Sequence, residues 1–386
     1  MKKFLFLFLL LFSPIYLFSD EEVKEEKKKD LRGLVKRYID SIILDTISSN
    51  EPQLILYPTI AYSPETSWEF GVSSLLIFYA NKDTNNRLSE VNGFSFYTLE
   101  NQFGFWFDHA FYLQDDSWIS LGKLRIQSFP LFYHGIGTDT PEDYIGRIDG
   151  FQFNLKESIL KNIYKDVFLG FEFNINSLSK VDFSSKDGNP KPNITGLDGS
   201  TNLGIGLGIV YDTRHNVLNV RDGYFNELYY LHSDEAWGST FDFSTVISDN
   251  RVFTKVNERT VWANQLLGQF NWGDVPFNQM ALMGGESIMR GYYLGRYRDL
   301  NQIAAQSEIR FLPFKLPFTK RLGGAVFGSA GAVFPSFDRL GTNDVAWAFG
   351  GGLRYLIFQR KDIYTRFDIA YTPEGFGFYF FIGEAF

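Results

Sequence analysis

Residues 203–212, LGIGLGIVYD, contain the clearest structural signal in this sequence. Large side chains stand at every second position, and glycines occupy most of the positions between them. Because the side chains of a β-strand point alternately to its two faces, this period of two predicts a strand with one bulky apolar face and one small face. Strands that cross a membrane have this pattern, since one face meets lipid and the other lines a crowded lumen.

The same alternation recurs along the chain. It is present in residues 167–176 and 363–371, where polar residues such as Glu172, Arg366 and Asp368 fall on the second face. These runs of about 10–14 residues exceed the usual 5–6 of strands in soluble proteins. They begin near residue 53, and counting them gives about 16 strands, an even number as such barrels require. The sequence therefore predicts an all-β fold, a transmembrane antiparallel β-barrel, rather than a soluble sandwich.

The composition agrees with a barrel. The 386 residues include 41 Phe and 21 Tyr, more rings than a soluble core needs but suitable for a lipid-facing surface with two interfacial girdles. There is no Cys, which excludes disulfides and thiolate catalysis. The net charge of -8 argues against nucleic acid as a partner.

The first 50 residues follow a different pattern. Two lysines precede a short apolar stretch that ends near Ser19, which predicts a secretory signal peptide over residues 1–19. Residues 20–50 combine a dense mixed-charge linker with a short amphipathic helix, and the barrel occupies residues 51–386. No other stretch approaches the length of about 18 apolar residues that a spanning helix needs, so further membrane spans must be strands.

The histidines are the remaining candidates for catalysis. None lies in a nucleophile-elbow pattern or at metal-ligand spacing from another, and they stand at His109, His134, His215 and His232. His109 falls on the predicted lipid-facing row of its strand, an unusual place for an ionisable side chain. We therefore expect that the protein is not an enzyme and that it holds neither a cofactor nor a metal.

One connection, from Gly273 to about Leu300, is far longer than the others, and unstructured connections of this length are usually functional. It contains the segment 284–292, GGESIMRGY. An arginine in a narrow lumen is costly unless a carboxylate pairs with it, and glycines let a loop backbone approach the wall closely. The alternative is an ordinary Arg-Gly pair in a surface loop.

This segment resembles the loop signature of the outer-membrane assembly superfamily, the BamA/TamA and bacterial surface antigen type, in which paired glycines lead to Arg-Gly-aromatic. The matching positions are Gly284, Gly285, Arg290, Gly291 and Tyr292. The resemblance implies that the loop joins the eleventh and twelfth strands of a barrel of about 16 strands and inserts into its lumen. It also implies that Arg290 docks on the inner wall, where Glu308 of the following strand accepts it. The residues on the lumen face of that strand are Gln306, Glu308 and Arg310.

The strand after that resembles the family's Phe-x-Asp-x-Gly pattern at Phe327, Ser329 and Gly331, with serine where the family has aspartate. The resemblance therefore implies a clasp built on one carboxylate instead of two, unless Asp368 or Glu172 takes the second place.

Two further segments resemble the family, and one of them, residues 62–66 (YSPET), looks like the first turn of its short members. An Asp-x-Arg turn at Asp212 and Arg214, followed by a glycine, matches a turn between two strands, although the two side chains could equally pair across an ordinary turn. The last strand resembles the signal for barrel insertion, because alternate residues form one row that closes on an aromatic residue: Phe378, Phe380, Ile382, Glu384 and Phe386.

The resemblance implies insertion or translocation of proteins or lipids at the outer membrane of a Gram-negative-type bacterium. The expected partners are outer-membrane lipid and lipopolysaccharide, the barrel-assembly machinery for the barrel's own insertion, and a periplasmic partner or substrate protein. A weak seam between the first strand, near Leu54–Ser63, and the last, near Gly375–Phe386, would open laterally. Only the linker and short helix of residues 20–50 separate the predicted signal from the barrel, so we expect no periplasmic transport-associated domains. A passive channel or a surface-exposed structural barrel is therefore the alternative.

Overall fold

The computed structural model describes residues 51–63, 67–99, 101–128, 130–314, 316–317, 319–341, 344–359 and 362–386. The predicted signal peptide, linker and amphipathic helix, residues 1–50, lie outside this part of the chain. Within it, no helix is long and apolar enough to cross a membrane. The helical elements described are single 3-10 turns: Ala80–Lys82, Gln114–Asp116, Glu235–Trp237 and Phe337–Arg339.

In the part of the chain that the structure describes, nineteen strands make up the rest of the regular structure. In chain order they are β1 Gln53–Ser63, β2 Ser67–Tyr79, β3 Leu88–Thr98, β4 Phe103–Tyr112, β5 Trp118–Ser128, β6 Leu131–Tyr133, β7 Gly146–Tyr164, β8 Val167–Ser185, β9 Ser200–Asp212, β10 Gly223–Ser233, β11 Phe243–Asn257, β12 Thr260–Gly273, β13 Ala281–Met283, β14 Tyr297–Asp299, β15 Asn301–Phe311, β16 Leu322–Phe334, β17 Ala346–Phe358, β18 Ile363–Thr372 and β19 Gly375–Ile382.

Successive long strands pair antiparallel, so the sheet is a meander from β1 to β19 with sixteen wall strands. The three-residue β6 adds a seventeenth strand by pairing with β7 beside the end of β5, and β13 and β14 form a separate hairpin. The long connection therefore joins the eleventh and twelfth wall strands, β12 and β15. The predicted strand number and loop position are confirmed.

The outer surface of the sheet carries large apolar side chains. On β9, Ile205 and Leu207 are 45% and 55% exposed, whereas Asp212 on the opposite face is fully buried. On β8, Phe171 is exposed and its neighbour Glu172 is buried. A soluble protein would cover so large an apolar surface with a second layer, but here it continues over strand after strand of the wall. The structure thus confirms the predicted all-β transmembrane barrel.

The two ends of the sheet approach each other at the end of the wall where β1 begins. Ile55 of β1 and Ile363 of β18 lie in one buried apolar cluster, and Ile382 of β19 packs against it. Each wall strand is joined in register to the next, but within the described residues no such pairing joins β1 to β19. Side-chain packing among the described residues therefore brings the edge strands together at this end of the wall.

Loops close over the lumen at the opposite end. The long loop contacts the segment 131–145, where Arg296 NH1 donates to Thr140 Oγ1 at 2.8 Å. In the same segment His134 Nδ1 lies 3.0 Å from the carbonyl oxygen of Pro141. Burial, with a smaller contribution from Arg296, lowers the pKa of His134 below its ordinary value. The ring is therefore neutral at neutral pH, and its Nδ1–H donates to the carbonyl.

The last strand is shorter than the sequence pattern predicts. Phe378 and Phe380 are 65% and 59% exposed on the lipid-facing row, but β19 ends at Ile382. Gly383, with a φ of +86°, then turns the chain towards the lumen. The side chain of Glu384 and the residues Ala385 and Phe386 are buried there. The alternating row predicted for the last strand therefore does not continue through Glu384 and Phe386.

Charge explains why this segment leaves the lipid-facing row. Glu384 Oε2 accepts a hydrogen bond from Arg354 Nε at 2.8 Å, so its carboxylate is paired instead of facing lipid. Arg310 NH2 donates to the main-chain oxygen of Phe386 at 3.1 Å, and the ring of Phe386 packs near that of Phe253. The pairing partners lie on other strands, so alternation along the last strand alone could not predict this turn.

Candidate functional site

The long loop follows a backbone path that requires glycine at two points. Gly284 has a φ of +118°, and a Cβ there would lie 2.0 Å from the carbonyl oxygen of Tyr293. Gly291 has a φ of +111°, and a Cβ there would lie 2.4 Å from Thr372 Cγ2 on β18. Gly285 also has a positive φ, +123°. The loop backbone therefore touches the inner wall directly, as the glycines of the segment predict.

Arg290 lies between these glycines at the tip of the inserted segment, and its side chain is fully buried. Its NH2 donates to Glu308 Oε2 on β15 at 2.5 Å, and its NH1 donates to Asp368 Oδ2 on β18 at 2.6 Å. The guanidinium carbon lies 3.4 Å from the ring centroid of Phe327 on β16. Two carboxylates and one aromatic face thus hold a planar cation, which fixes its orientation as well as its charge.

Three more arginines extend this arrangement. Glu308 Oε1 accepts from Arg310 Nε at 2.9 Å and from Arg354 NH2 at 3.1 Å. Asp368 accepts from Arg354 NH1 at 2.5 Å and from Arg366 NH1 at 2.9 Å. We call the seven residues that exchange these bonds the lumen clasp: Arg290, Glu308, Arg310, Arg354, Arg366, Asp368 and Glu384.

The lumen clasp contains four guanidinium groups and three carboxylates, and each of these side chains is at most 3% exposed. With all of these groups ionised, it carries one net positive charge. Charges so far from water are stable only when every one has a close partner, because desolvation otherwise dominates. The clasp therefore links the loop to β15, β17 and β18 by interactions that are strong together and costly to break singly.

The loop is also held by neutral contacts. The N–H of Gly291 donates to the hydroxyl of Tyr379 on β19 at 2.8 Å, and Tyr292 OH donates to the carbonyl oxygen of Trp347 on β17 at 3.2 Å. Loop and wall side chains share a buried apolar cluster made of Met283, Ile288, Met289, Tyr292, Ala304, Val333 and Ala348. The loop tip is thus attached to every wall strand from β15 to β19.

The three residues of the Phe-x-Ser-x-Gly pattern on β16 have different roles. Phe327 lies under Arg290, as described above. Gly331 leaves room for the loop, because a Cβ there would lie 2.9 Å from Met283 Sδ. Ser329 is different: its hydroxyl is buried and has no hydrogen-bond partner among the described residues. The second carboxylate of the clasp is Asp368, whereas Glu172 accepts from Ser158 on the opposite part of the wall and takes no part.

The turn at residues 212–214 forms a separate ion pair. Arg214 Nε and NH2 donate to the two oxygens of Asp212 at 2.9 and 3.0 Å, a bidentate pair within the turn. Tyr112 OH donates to Asp212 at 3.2 Å, and Arg214 lies over the ring of Phe225. These contacts link the lumen side of β4 to β9 and β10. It fits the ordinary structural pairing that the sequence left open.

Sequence reasoning did not include Arg354, Glu384 or Tyr379 among the site residues. Strand parity could have identified Arg354, because it shares the lumen-facing row of β17 with Gly352, opposite Arg366 on β18. Glu384 could not be found in this way, since the turn at Gly383 decides where it lies. Tyr379 is recognisable only from the loop that reaches it.

Among the described residues, no group of His, Asp or Glu side chains could hold a metal ion. What the fold and the clasp define is a transmembrane antiparallel β-barrel whose longest loop is anchored inside the lumen. No protein-family model matches this sequence. No curated protein matches it by sequence either.

Comparison with solved structures identifies the type of barrel more closely. The chain is similar to BamA from Haemophilus ducreyi lacking POTRA domains 1-3, with a TM-score of 0.53 and 11% identity over 86% of this chain and 70% of that one. It is also similar to CdiB from Acinetobacter baumannii (TM-score 0.50, 9% identity, 86% and 65% of the two chains) and to CdiB from Escherichia coli (0.52, 11%, 86% and 62%). The chain thus spans less than two thirds of the two CdiB proteins. It has the BamA-type barrel fold.

Proposed function

We propose that this protein acts at the outer membrane in the insertion or translocation of proteins or lipids. The observation that carries the proposal is the contrast between the clasped and the open part of the wall. The loop is bound to five consecutive strands up to β19, yet the next edge, between β19 and β1, has no backbone ladder within the described residues. An edge strand with unpaired N–H and C=O groups is a template for another strand.

The clasp supports lateral opening by keeping one side of the seam rigid. Gly291 and Arg290 hold β18 and β19 from inside, so movement at the seam would fall on β1 and the strands after it. The partners proposed are outer-membrane lipid and lipopolysaccharide, the machinery that inserts this barrel, and a periplasmic partner or substrate protein. Export through the predicted signal peptide belongs to the same proposal.

A cysteine crosslink tests the seam, and the absence of native cysteine makes it clean. One cysteine is placed in β1 and one in β19, and the locked barrel is assayed in the native host for outer-membrane protein and lipopolysaccharide content. The control pair is Leu56→Cys with Ser74→Cys, whose Cα atoms are already partners in the β1–β2 ladder. Loss of biogenesis with the seam pair alone supports the proposal. Normal biogenesis with a locked seam rejects lateral opening.

A passive channel is the second candidate, and the lumen on the far side of the loop favours it. Lys123 on β5 shares the lumen-facing row with its ladder partners Asp108 and Lys156, and its side chain is exposed. Asp108 pairs with the partly exposed Arg125 on the same face. Charged side chains left accessible inside a barrel are typical of a water-filled path. Single-channel recording separates the candidates: steady conductance indicates a channel, and a closed barrel with rare openings favours the insertion or translocation role.

A further inference from the structure

Short side chains occupy part of the outer face of β15 and β16. Ala305 and Ala330 are exposed there and are partners in the ladder between the two strands, and Gly328 lies beside them on β16. Bulky side chains border this stretch on both sides, since Leu266 on β12 and Phe349 on β17 are 50% and 52% exposed. The outer face therefore has a shallow groove of about 690 Å³ beside the ridge that Leu266 forms.

The groove lies at the depth of the lipid acyl chains. Trp262 and Trp272, near the two ends of β12, are 47% and 50% exposed, and exposed rings at strand ends mark the two membrane–water interfaces. Leu266 stands between them on the same outward row, six residues after the start of β12. Gly328 is likewise six residues after the start of β16, a strand that begins at the same end of the wall. The ridge at Leu266 and the groove at Gly328 are therefore at about the same depth.

Two polar side chains beside the groove have hydrogen-bonding capacity left over. Ser307 Oγ accepts from Trp262 Nε1 at 2.8 Å, and its own O–H donates to no acceptor within the described residues. Asn264, the ladder partner of Ser307, forms no side-chain hydrogen bond in the same part of the chain. Such groups are costly in lipid, and in membranes they commonly pair across contacts between protein segments. Both are uncharged, so a fitting surface offers neutral donors and acceptors.

The same face on a second copy of the chain meets these requirements. Two barrels related by a two-fold axis along the bilayer normal place each depth of one wall against the same depth of the other. β12 and β16 are the two neighbours of β15 in the sheet. With the axis beside Ala305, Leu266 of each copy therefore faces Gly328 of the other, so that each ridge enters a groove. Short side chains at the axis let the two convex walls approach closely.

We propose that this face pairs with its counterpart on a second copy to form a two-fold symmetric dimer in the membrane. Leu266 packs on Gly328 of the second copy, and the Ser307 hydroxyl, close to the axis, donates to Asn264 Oδ1 of the second copy. The contact uses β15 and its two neighbours, so the edges of β1 and β19 stay free. The proposal goes beyond insertion or translocation activity and does not depend on it.

Gly328→Leu tests the contact while leaving the barrel intact. Among the described residues, a Cβ at Gly328 would meet only the carbonyl oxygen of Ala348, at 3.9 Å, so the added side chain points outwards and fills the groove. Sedimentation equilibrium of the full-length chain in density-matched detergent micelles measures the dissociation constant of the dimer. We expect the wild type to dimerise and Gly328→Leu to weaken the dimer by about tenfold or more, because two grooves are blocked at once.

Leu266→Ala removes the ridge instead of filling the groove, and it should weaken the dimer by a similar factor. Its matched control is Leu207→Ala on β9, which shortens a leucine of similar exposure, 55%, outside the contact. This control should dimerise as the wild type does. Heat-modifiable gel migration verifies that every variant is folded.

A single cysteine gives an independent measurement in native membranes, since the chain has no cysteine of its own. Ala305→Cys places one thiol of each copy beside the axis, so mild oxidation should yield a disulfide-linked dimer. Ser95→Cys, at an exposed position on the outer face of β3, is the control and should remain monomeric.

A wild type that stays monomeric at every ratio of protein to detergent overturns the proposal, as does a dimer that persists in both Gly328→Leu and Leu266→Ala. Equal crosslinking of Ala305→Cys and Ser95→Cys would reject it too, because the thiols would then meet by random collision. A phospholipid that copurifies with the monomer and is lost in Gly328→Leu would assign the groove to lipid. A different protein crosslinked at Ala305→Cys, in place of a second copy, would likewise contradict self-pairing.

Discussion

Glu308→Gln is the substitution that should weaken the lumen clasp most directly. Glu308 is fully buried and accepts hydrogen bonds from Arg290, Arg310 and Arg354. The amide that replaces it has nearly the same shape, keeps one oxygen acceptor and carries no charge. The net charge of the clasp rises from one positive charge to two, and three guanidinium groups lose an anionic partner together.

The size of the effect follows from burial. Removing one partner of a buried ion pair costs about 3–5 kcal/mol, since the remaining charge stays desolvated without compensation. Glu308 serves three cations, so we place it at the upper end of that range, and Arg290→Ala at the lower end because Arg310, Arg354 and Arg366 still neutralise the two carboxylates. At roughly 2 °C per kcal/mol for a chain of this size, the unfolding midpoint should fall by about 6–10 °C.

The assay is the temperature at which the folded, fast-migrating band converts to the unfolded band on a gel, for each single variant and for Arg290→Ala with Glu308→Gln. Because the two side chains share one network, the double variant should cost less than the sum of the singles by about 1–3 kcal/mol. Glu258→Gln, in an exposed turn, is the matched control. Single variants within about 2 °C of the wild type, with additive effects, would refute a clasp that stabilises the barrel.

Three other outcomes follow from the structure. Asp368→Asn should destabilise the barrel by about 3–5 kcal/mol, because Asp368 is buried among three arginines. Adding Ser329→Asp to this variant should recover part of the loss in the same gel assay. No recovery would mean that position 329 is out of reach of Arg290. Tyr379→Phe removes the hydroxyl that accepts from Gly291 N–H, so faster amide exchange at the loop tip is expected, whereas unchanged exchange would show that the bond is dispensable. Burial lowers the pKa of His134 in the folded state, so the unfolded segment binds a proton at a higher pH than the folded one. The stability of the contact between the long loop and residues 131–145 should therefore fall as the pH drops below about 6.5. Proteolysis of that segment should be faster at pH 5.5 than at pH 7.5, and His134→Gln should remove this difference.

Much of the fold could be predicted from alternation because a barrel wall obeys one local rule. Each strand must place large apolar residues outside and small or polar residues inside, so the pattern at Leu203–Asp212 already contains the strand, its two faces and its environment. The number of strands and the place of the long loop follow by counting. Where the chain leaves the wall, the local rule ends: the turn at Gly383 and the burial of Phe386 depend on partners from other strands.

The same limit applies to the site: the local sequence pattern could identify some of its residues, and the others depend on tertiary contacts. The resemblance of the loop implied Glu308 as the partner of Arg290, and the place of Glu308 on the lumen face of the following strand agrees with it. The sequence offered both Asp368 and Glu172 as the second carboxylate, and parity could not choose between them, since both face the lumen. The choice depends on where the loop tip comes to rest, and the contacts of Gly291 with Thr372 and Tyr379 place it against β18 and β19.

That resting place explains why a serine at position 329 is tolerated. An aspartate on β16 would hold the arginine against the middle of the clasped strands, whereas Asp368 on β18 draws it towards the edge of the sheet. Arg366 and Arg354 flank Asp368 and compensate its charge, so the carboxylate remains bound in the clasp network through them even without Arg290. The loop tip is therefore attached nearest to the strand that borders the seam. A clasp in this position couples the loop to the seam more directly than one centred on β16, because β18 and β19 are neighbours in the ladder.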